Sequence, residues 1–277
     1  MIVPGSASQS LAAALAELLG EPLAAVEYDR FADGEQLVRI PDTDERAIVV
    51  ASTLSDRAHV ELLQLQDAAA EMADEVITVL PYMGYGRQDE AFETGQPISA
   101  RAVAKAITTG TDRVLTVNPH ETAICEFFDV SCTPVDAARR LAKPLPTMDD
   151  PLFLAPDAGA IELATSLRDG YGSGETDYFE KTRVTDTDVE ITPSDAETHD
   201  RDVVLIDDIV ATGSTMSTAT SQLEAPARVF VACVHPLLAA NARTQLANAG
   251  VDAIFGTDTI ERPVSSVTVA PTVAEHL

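Results

Sequence analysis

Short apolar runs of β-forming residues recur along this 277-residue chain, each followed by an Ala- and Leu-rich stretch of helical composition. The runs are Ala47–Ala51, Glu75–Leu80, Arg113–Val117, Leu152–Ala155, Val203–Ile206, Arg228–Val234 and Val251–Phe255. The helical stretches are Ser10–Leu19, Ala58–Ala73, Ser99–Thr108, Glu121–Phe128, Ala158–Arg168, Ser214–Glu224 and Leu237–Ala249. A short strand that is apolar nearly throughout, without alternation, is covered on both faces. Its repeated pairing with helices predicts an α/β architecture of parallel sheets flanked by helices. The segment Leu141–Pro151 carries three prolines and two aspartates and reads as a linker. It sets off an N-terminal domain, residues 1–141, from a C-terminal domain, residues 151–277, whose last ~15 residues are candidates to pack back on the N-terminal one. The polar stretch Asp169–Thr198 is too long for an ordinary connection and predicts a functional loop or a protruding hairpin.

Charge narrows the setting. The chain has 18 Lys and Arg against 45 Asp and Glu, a net −27, yet the acids are scattered and form no long run of one sign. Lysine occurs only as Lys105, Lys143 and Lys181; the other basic residues are arginine. Self-repulsion at such a charge destabilises a compact state in dilute salt. At 1 M salt the screening length falls to about 3 Å and most of that penalty goes. The composition therefore points to the cytoplasm of a salt-accumulating halophile. It disfavours a nucleic-acid or anionic-membrane surface, either of which needs a basic patch. Cys125, Cys132 and Cys233 are odd in number and lack CxxC spacing, which indicates neither a disulfide framework nor a zinc site. No signal-peptide pattern or apolar stretch of membrane-spanning length is present, so a soluble, cytoplasmic chain is expected.

The strongest local signal is the run from Val203 to Met216, VVLIDDIVATGSTM. An apolar strand ends in two carboxylates, Asp207 and Asp208, and a turn of small residues, Ala211, Thr212, Gly213, Ser214 and Thr215, then opens a helix. Backbone N–H groups at a helix start, aided by its dipole, make an anion site, and three hydroxyls add donors to a phosphate. The carboxylates beside it suit sugar hydroxyls or a magnesium shell. An acidic helix cap alone would not require two acids, a glycine and three hydroxyls together.

This run resembles the ribose-5-phosphate loop of type I phosphoribosyltransferases and of ribose-phosphate pyrophosphokinases (PRPP synthetases). Further segments separate the two families. Arg30–Ile40, RFADGEQLVRI, resembles the synthetase F-x-D-G-E-x-x-V-R-I segment. There Phe31 offers a stacking face, Gly34 a sharp turn, and Asp33 and Glu35 acceptors for an amino group or ribose. Pro81–Glu90, PYMGYGRQDE, resembles P-Y-x-x-Y-x-R-Q-D and follows an apolar strand, where α/β sheets place ligands. Arg87 can pair with a polyphosphate or stack on adenine, and Gln88 can read a base edge. Asn118-Pro119-His120 stands where the family has Asp-x-His, and Asn118 carries no charge for a direct metal role. Ala155–Ala160, APDAGA, resembles S-P-D-x-G-x, and Phe179–Val184, FEKTRV, the catalytic flexible loop.

The resemblance covers nearly the whole chain and implies two type I phosphoribosyltransferase-like domains, each a parallel sheet flanked by helices. It implies transfer of the diphosphoryl group of ATP to the C1 hydroxyl of ribose 5-phosphate, giving PRPP and AMP, with Mg²⁺. By the same resemblance Phe31, Asp33, Gly34, Glu35, Arg87, Gln88 and His120 bind ATP. Arg183, Asp207, Asp208, Ala211, Thr212, Gly213, Ser214 and Thr215 take ribose 5-phosphate, and His120 and Asp157 hold magnesium. Lys181 and Arg183 are the catalytic cations, compact positive charge that closes on the transferring group. A suppressor of edge-strand aggregation is the plainer reading of Lys181. Ala211 replaces the family's Asp in D-D-x-x-D-T-x-x-T, which removes a sugar-hydroxyl contact. The family's ATP site takes the FADGE turn from a neighbouring subunit, so a homo-oligomer is implied. Two other readings compete. A phosphoribosyltransferase would leave FADGE, YGRQD and the Lys181 loop unexplained, and a silent regulatory partner would have no need to keep Lys181, His120 and the aspartate pair.

Overall fold

The computed structural model describes residues 1–42, 44–183, 189–193 and 197–277; for 181–183 and 189–193 the description covers the backbone alone. The chain divides into two units, residues 1–136 with 258–261 and 268–277, and residues 137–257 with 262–267. The division lies just before the proline-rich 141–151 segment. The 3-10 turn Ala138–Ala142 packs on the second unit's first helix, where a Cβ on Gly170 would lie 2.6 Å from the Arg139 carbonyl oxygen.

In the first unit the order is β1 (Ile2–Pro4), α1 (Gln9–Leu19), β2 (Glu27–Arg30), β3 (Gln36–Arg39), β4 (Arg46–Val50), α2 (Asp56–Ala70), β5 (Glu75–Leu80), α3 (Ser99–Thr108), β6 (Arg113–Val117) and β7 (Ser131–Val135). The sheet runs β1-β4-β5-β6-β7, all parallel, with β2 and β3 as a separate antiparallel hairpin. Val49, Val76, Leu80 and Val114 bury against Leu62 and Leu65 of α2 and Ala104 and Ile107 of α3. The Ser55 hydroxyl caps α2 by accepting the Ala58 N–H at 3.3 Å, and Asp56 complements the dipole. Gly20, at φ +67°, ends α1 in the left-handed conformation that leaves its N–H bonded to Ala16 O.

In the second unit the order is β8 (Leu152–Ala155), a 3-10 turn Ala158–Ala160, α4 (Ile161–Tyr171), β9 (Glu175–Arg183), β10 (Val189–Pro193), β11 (Asp202–Ile209), α5 (Ser214–Ser221), β12 (Arg228–His235), α6 (Ala242–Asn248), β13 (Ala253–Thr257) and β14 (Ser265–Val267). The sheet order is β10-β9-β8-β11-β12-β13-β14, parallel except for the β9/β10 pair. Leu154, Val203, Leu205, Val229 and Val231 form its core with Met216, Ala219 and Leu246. The polar stretch after Asp169 forms a hairpin: residues 175–178 pair with β8, and 179–183 run on to pair with β10. The final α7 (Ala270–Ala274) belongs to the first unit, where the Arg113 guanidinium donates to the His276 and Leu277 carbonyl oxygens at 3.1 Å each.

Helices shorten where turn geometry intervenes. Glu121–Phe128 is a 3-10 turn over Thr122–Phe127, and Leu237–Ala249 becomes helical only from Ala242 because Leu238 and Ala240 hold φ of +46° and +51°. Ala158–Arg168 is split, with the Asp157 carboxylate accepting the Gly159 N–H before α4 begins. None of the helices in the described residues is long and apolar enough to cross a membrane.

Candidate active site

The Pro81–Glu90 segment leaves the carboxyl end of β5 and is seated on the start of α2. The Thr53 N–H donates to Tyr82 O at 2.9 Å, and the Thr53 hydroxyl accepts the Gly84 N–H at 2.8 Å. The backbone approach is so close that a Cβ on residue 84 would lie 2.2 Å from Thr53 O and 3.0 Å from His59 Nε2. Tyr85, at φ +64°, packs its ring against that of His59, tilted by 45° with centroids 5.5 Å apart, and donates its hydroxyl to Asp56. Burial holds the His59 imidazole below its ordinary range, although Asp56 opposes the shift. This seat presents Arg87 to solvent. Gln88 turns inward: its Oε1 accepts from the Ser99 hydroxyl and its carbonyl accepts the Ala100 N–H, so it starts α3.

The FADGE segment is the β2–β3 turn. Gly34, at φ +95°, donates its N–H to Phe31 O, the Phe31 N–H donates to Glu35 O, and Asp33 Oδ1 accepts the Glu35 N–H at 3.1 Å. Asp33 thus spends one oxygen on the turn, while Phe31 is 54% exposed and free to stack. Gln36 docks this hairpin on α2 by exchanging bonds with Arg57, Nε2 to Arg57 O at 2.8 Å and Oε1 from Arg57 Nε at 2.7 Å. One helix start therefore carries both segments that the resemblance assigns to ATP. Thr53, Asp56, Arg57 and His59, which hold them, belong to no motif; the only sequence signal was the Ser-Asp cap at Ser55-Asp56.

After β6, Asn118 adopts φ +35°, takes the Val135 O bond through its N–H and donates its side-chain amide to Asp136 at 2.8 Å. The position where the resembled motif has Asp is filled here by a residue whose amide ties β6 to the end of β7. His120 follows at the surface of the first unit, whereas Asp157 belongs to the second. Among the described residues no group of three or more His, Cys, Asp or Glu side chains has the spacing of a metal site.

In the second unit, β8 and β11 are parallel neighbours, so Asp157, Asp207 and Asp208 gather at one sheet edge. The Asp207 carboxyl is pushed up to about 8, first by burial, then by the charge of Asp208, with Asp157 adding to it. Asp207 Oδ1 accepts the Asp208 N–H at 3.0 Å, and Asp208 Oδ1 accepts the Ile209 N–H at 2.7 Å. The loop that follows is pinned from behind: Leu238 N–H bonds Val210 O, and Ala239 N–H bonds Ala211 O. Gly213, at φ +79°, is buried against α6, where a Cβ would sit 3.2 Å from Leu246 Cγ and 3.3 Å from Ala242 O. α5 then starts with Thr212, Ser214 and Thr215 at the surface, the first two hydroxyls 3.0 Å apart. The first-turn N–H groups have no partner within the helix and face the same side. This edge can receive an anion and, beside it, polyol hydroxyls or a cation.

Lys181 and Arg183 lie on β9 with backbone partners Ile191 and Val189; their side chains lie outside the described residues, as does Val184 altogether.

Residues 1–110 match the N-terminal domain of ribose phosphate pyrophosphokinase, and residues 136–267 match the phosphoribosyl transferase domain. A curated ribose-phosphate pyrophosphokinase of Halobacterium salinarum is 62% identical over 281 residues, covering the whole of both chains. One from Methanosarcina mazei is 41% identical, covering all of this chain and 94% of its own. The crystal structure of phosphoribosylpyrophosphate synthetase from Mycobacterium smegmatis superposes with a TM-score of 0.84 at 25% identity, over 100% of this chain and 96% of that one. With both sequence halves, the two-domain phosphoribosyltransferase-type fold and full-length relatives in agreement, the chain belongs to the ribose-phosphate pyrophosphokinase family.

Proposed function

We propose that the protein transfers the diphosphoryl group of ATP to the C1 hydroxyl of ribose 5-phosphate, releasing PRPP and AMP. The observation that carries this reading is the seating of FADGE and YGRQD on one helix start in a chain that also has the β11–α5 phosphate loop. A phosphoribosyltransferase needs the loop alone. The family membership supports the same activity.

Such a transfer asks the protein for positioning and charge stabilisation, with no covalent intermediate. The α5 N-terminus, Thr212, Ser214 and Thr215 grip the 5-phosphate, with the backbone of Ala211 and Gly213 shaping the loop. Asp207 and Asp208 orient the ribose hydroxyls and so aim the C1 oxygen. Phe31 stacks on adenine, Asp33 and Glu35 accept from its amino group or the ribose, Arg87 pairs with the polyphosphate, and Gln88 reads the base edge through its remaining amide donors. Lys181 and Arg183 bring positive charge to the transferring group and exclude water. Burial first, and then the neighbouring charges of Asp208 and Asp157, raise the Asp207 carboxyl, and three carboxylates gathered at one sheet edge fit a divalent cation. Asp157 and His120 are the residues that would hold Mg²⁺, which neutralises polyphosphate charge when bound. We place the enzyme in the cytoplasm of a salt-accumulating cell, as a homo-oligomer whose exposed Phe31 turn serves a neighbouring subunit.

Incubation with ATP and ribose 5-phosphate tests the assignment. AMP release that requires ribose 5-phosphate is expected. No AMP from ATP and ribose 5-phosphate, with pyrophosphate released from supplied PRPP only when a nucleobase is added, would instead identify a phosphoribosyltransferase.

A further inference from the structure

Two of the three cysteines, seven residues apart in sequence, meet in the first unit. Cys125 sits in the 3-10 turn Thr122–Phe127, Cys132 sits in β7 paired with Val114 of β6, and their sulfurs are 2.9 Å apart. Both thiols are free and half-buried, so small reagents reach them, while Cys233 is fully buried in the other unit. A disulfide needs a separation of roughly 2.0 Å, so the two sulfurs, already at 2.9 Å, have only a short approach to make.

We propose that Cys125 and Cys132 form a thiol–disulfide exchange site whose substrate is a low-molecular-weight disulfide. The Cys125 thiolate attacks one sulfur of the substrate and expels the other half as a thiolate, leaving a mixed disulfide. Cys132, deprotonated, then attacks the Cys125 sulfur and expels the second half. The protein loses two protons and two electrons, and the substrate is reduced to two thiols.

The order of attack follows from the pair's own hydrogen bond. The Cys132 S–H donates to Cys125, which holds the Cys125 thiol below its ordinary range and, together with burial, Cys132 above it. The lower-pKa thiol supplies the nucleophile, and the neighbour resolves. The internal bond also removes any bulky adduct from a turn that packs tightly. Ile124 is buried beneath the nucleotide segment, with its Cδ1 3.7 Å from where a Cβ on Gly86 would stand. The pair therefore caps itself and returns the turn to its native packing.

The test is to treat the folded protein with 2-hydroxyethyl disulfide in molar KCl, quench, alkylate under denaturing conditions and digest without reductant. The tryptic peptide from Val114 to Arg139 contains both cysteines. It is expected to lose the mass of two hydrogens and escape alkylation, while Cys233 is alkylated; prior dithiothreitol restores both thiols. C132S removes the resolving thiol and is expected to accumulate a stable adduct on Cys125, and C125S to stay unmodified. Two alkylated cysteines in the oxidised wild-type peptide, or a persistent adduct on it, would overturn the proposal. So would an adduct on Cys132 in C125S forming as fast as that on Cys125 in C132S. Because the readout is mass, it stands whether or not the chain releases AMP.

Discussion

Gly84→Ala tests the seat of the nucleotide segment. The added Cβ would lie 2.2 Å from Thr53 O, and ordinary contact begins at 3.4 Å. Neither side yields easily: the oxygen is backbone, Thr53 is 1% exposed, and its own N–H is bonded to Tyr82 O. Separation breaks the 2.8 Å bond from Gly84 N–H to the Thr53 hydroxyl and leaves a buried donor unpaired, which costs about 1–3 kcal/mol. Overpacking adds about 1–3 kcal/mol. A total of about 2–6 kcal/mol corresponds to a Tm lower by roughly 5–20 °C in a chain of this size. Where the segment moves and the fold holds, the same displacement moves Arg87, which the proposed mechanism pairs with the polyphosphate. The KM for ATP then rises about tenfold or more while that for ribose 5-phosphate is unchanged. Calorimetry in molar KCl and the two KM values read this directly. Gly95→Ala is the control, since at φ +90° it meets nothing within 4 Å and pays the backbone cost only. A G84A protein no less stable than G95A, with an unchanged KM for ATP, would refute the reasoning.

Lys181→Ala should lower kcat by about 10²-fold or more with small KM changes, as for a charge that acts in the transition state; a loss confined to KM would remove that role. Asp207 keeps its proton in the folded state up to about pH 8, whereas the unfolded carboxyl releases it near 4, so its contribution to stability falls as pH rises between those values. Asp207→Asn should therefore flatten the Tm-against-pH curve and raise Tm at pH 8 while raising the KM for ribose 5-phosphate. Gly213→Ala, forced toward Leu246 Cγ and Ala242 O at φ +79°, should weaken ribose 5-phosphate binding and leave ATP binding intact, as isothermal titration with each ligand would report. Stability and activity should both rise from dilute to molar KCl, because screening relieves the self-repulsion of a −27 chain.

The buried strands were legible because they carry uninterrupted apolar residues. β5, β6 and β8 start and stop where those runs do. The edge elements were not. β7 is SCTPV, with a proline that only an edge position tolerates, and β1 is three residues long. β9, inside the sheet, carries Glu, Asp, Lys and Arg, so no hydrophobic pattern marks it as a strand; the hairpin was legible only from the length and polarity of the stretch after Asp169. At the candidate site, the strand end, turn and helix start from β11 to α5 were readable because their residues are contiguous in sequence. The scaffolding of the nucleotide segments was not, because Thr53, Asp56, Arg57 and His59 reach Gly84, Tyr85 and Gln36 only through the fold. The Cys125–Cys132 contact was hidden for the same reason: spacing alone does not reveal a 3-10 turn folding back on the next strand.

The central claim is that a diphosphoryl group moves intact from ATP to the C1 oxygen of ribose 5-phosphate. ATP carrying ³²P at its β position, incubated with ribose 5-phosphate and Mg²⁺ in molar KCl, follows that group. The account predicts that all transferred label appears in PRPP, with one unlabelled AMP formed per PRPP. Label retained in ADP, or AMP formed with label in free pyrophosphate and none in PRPP, would contradict it.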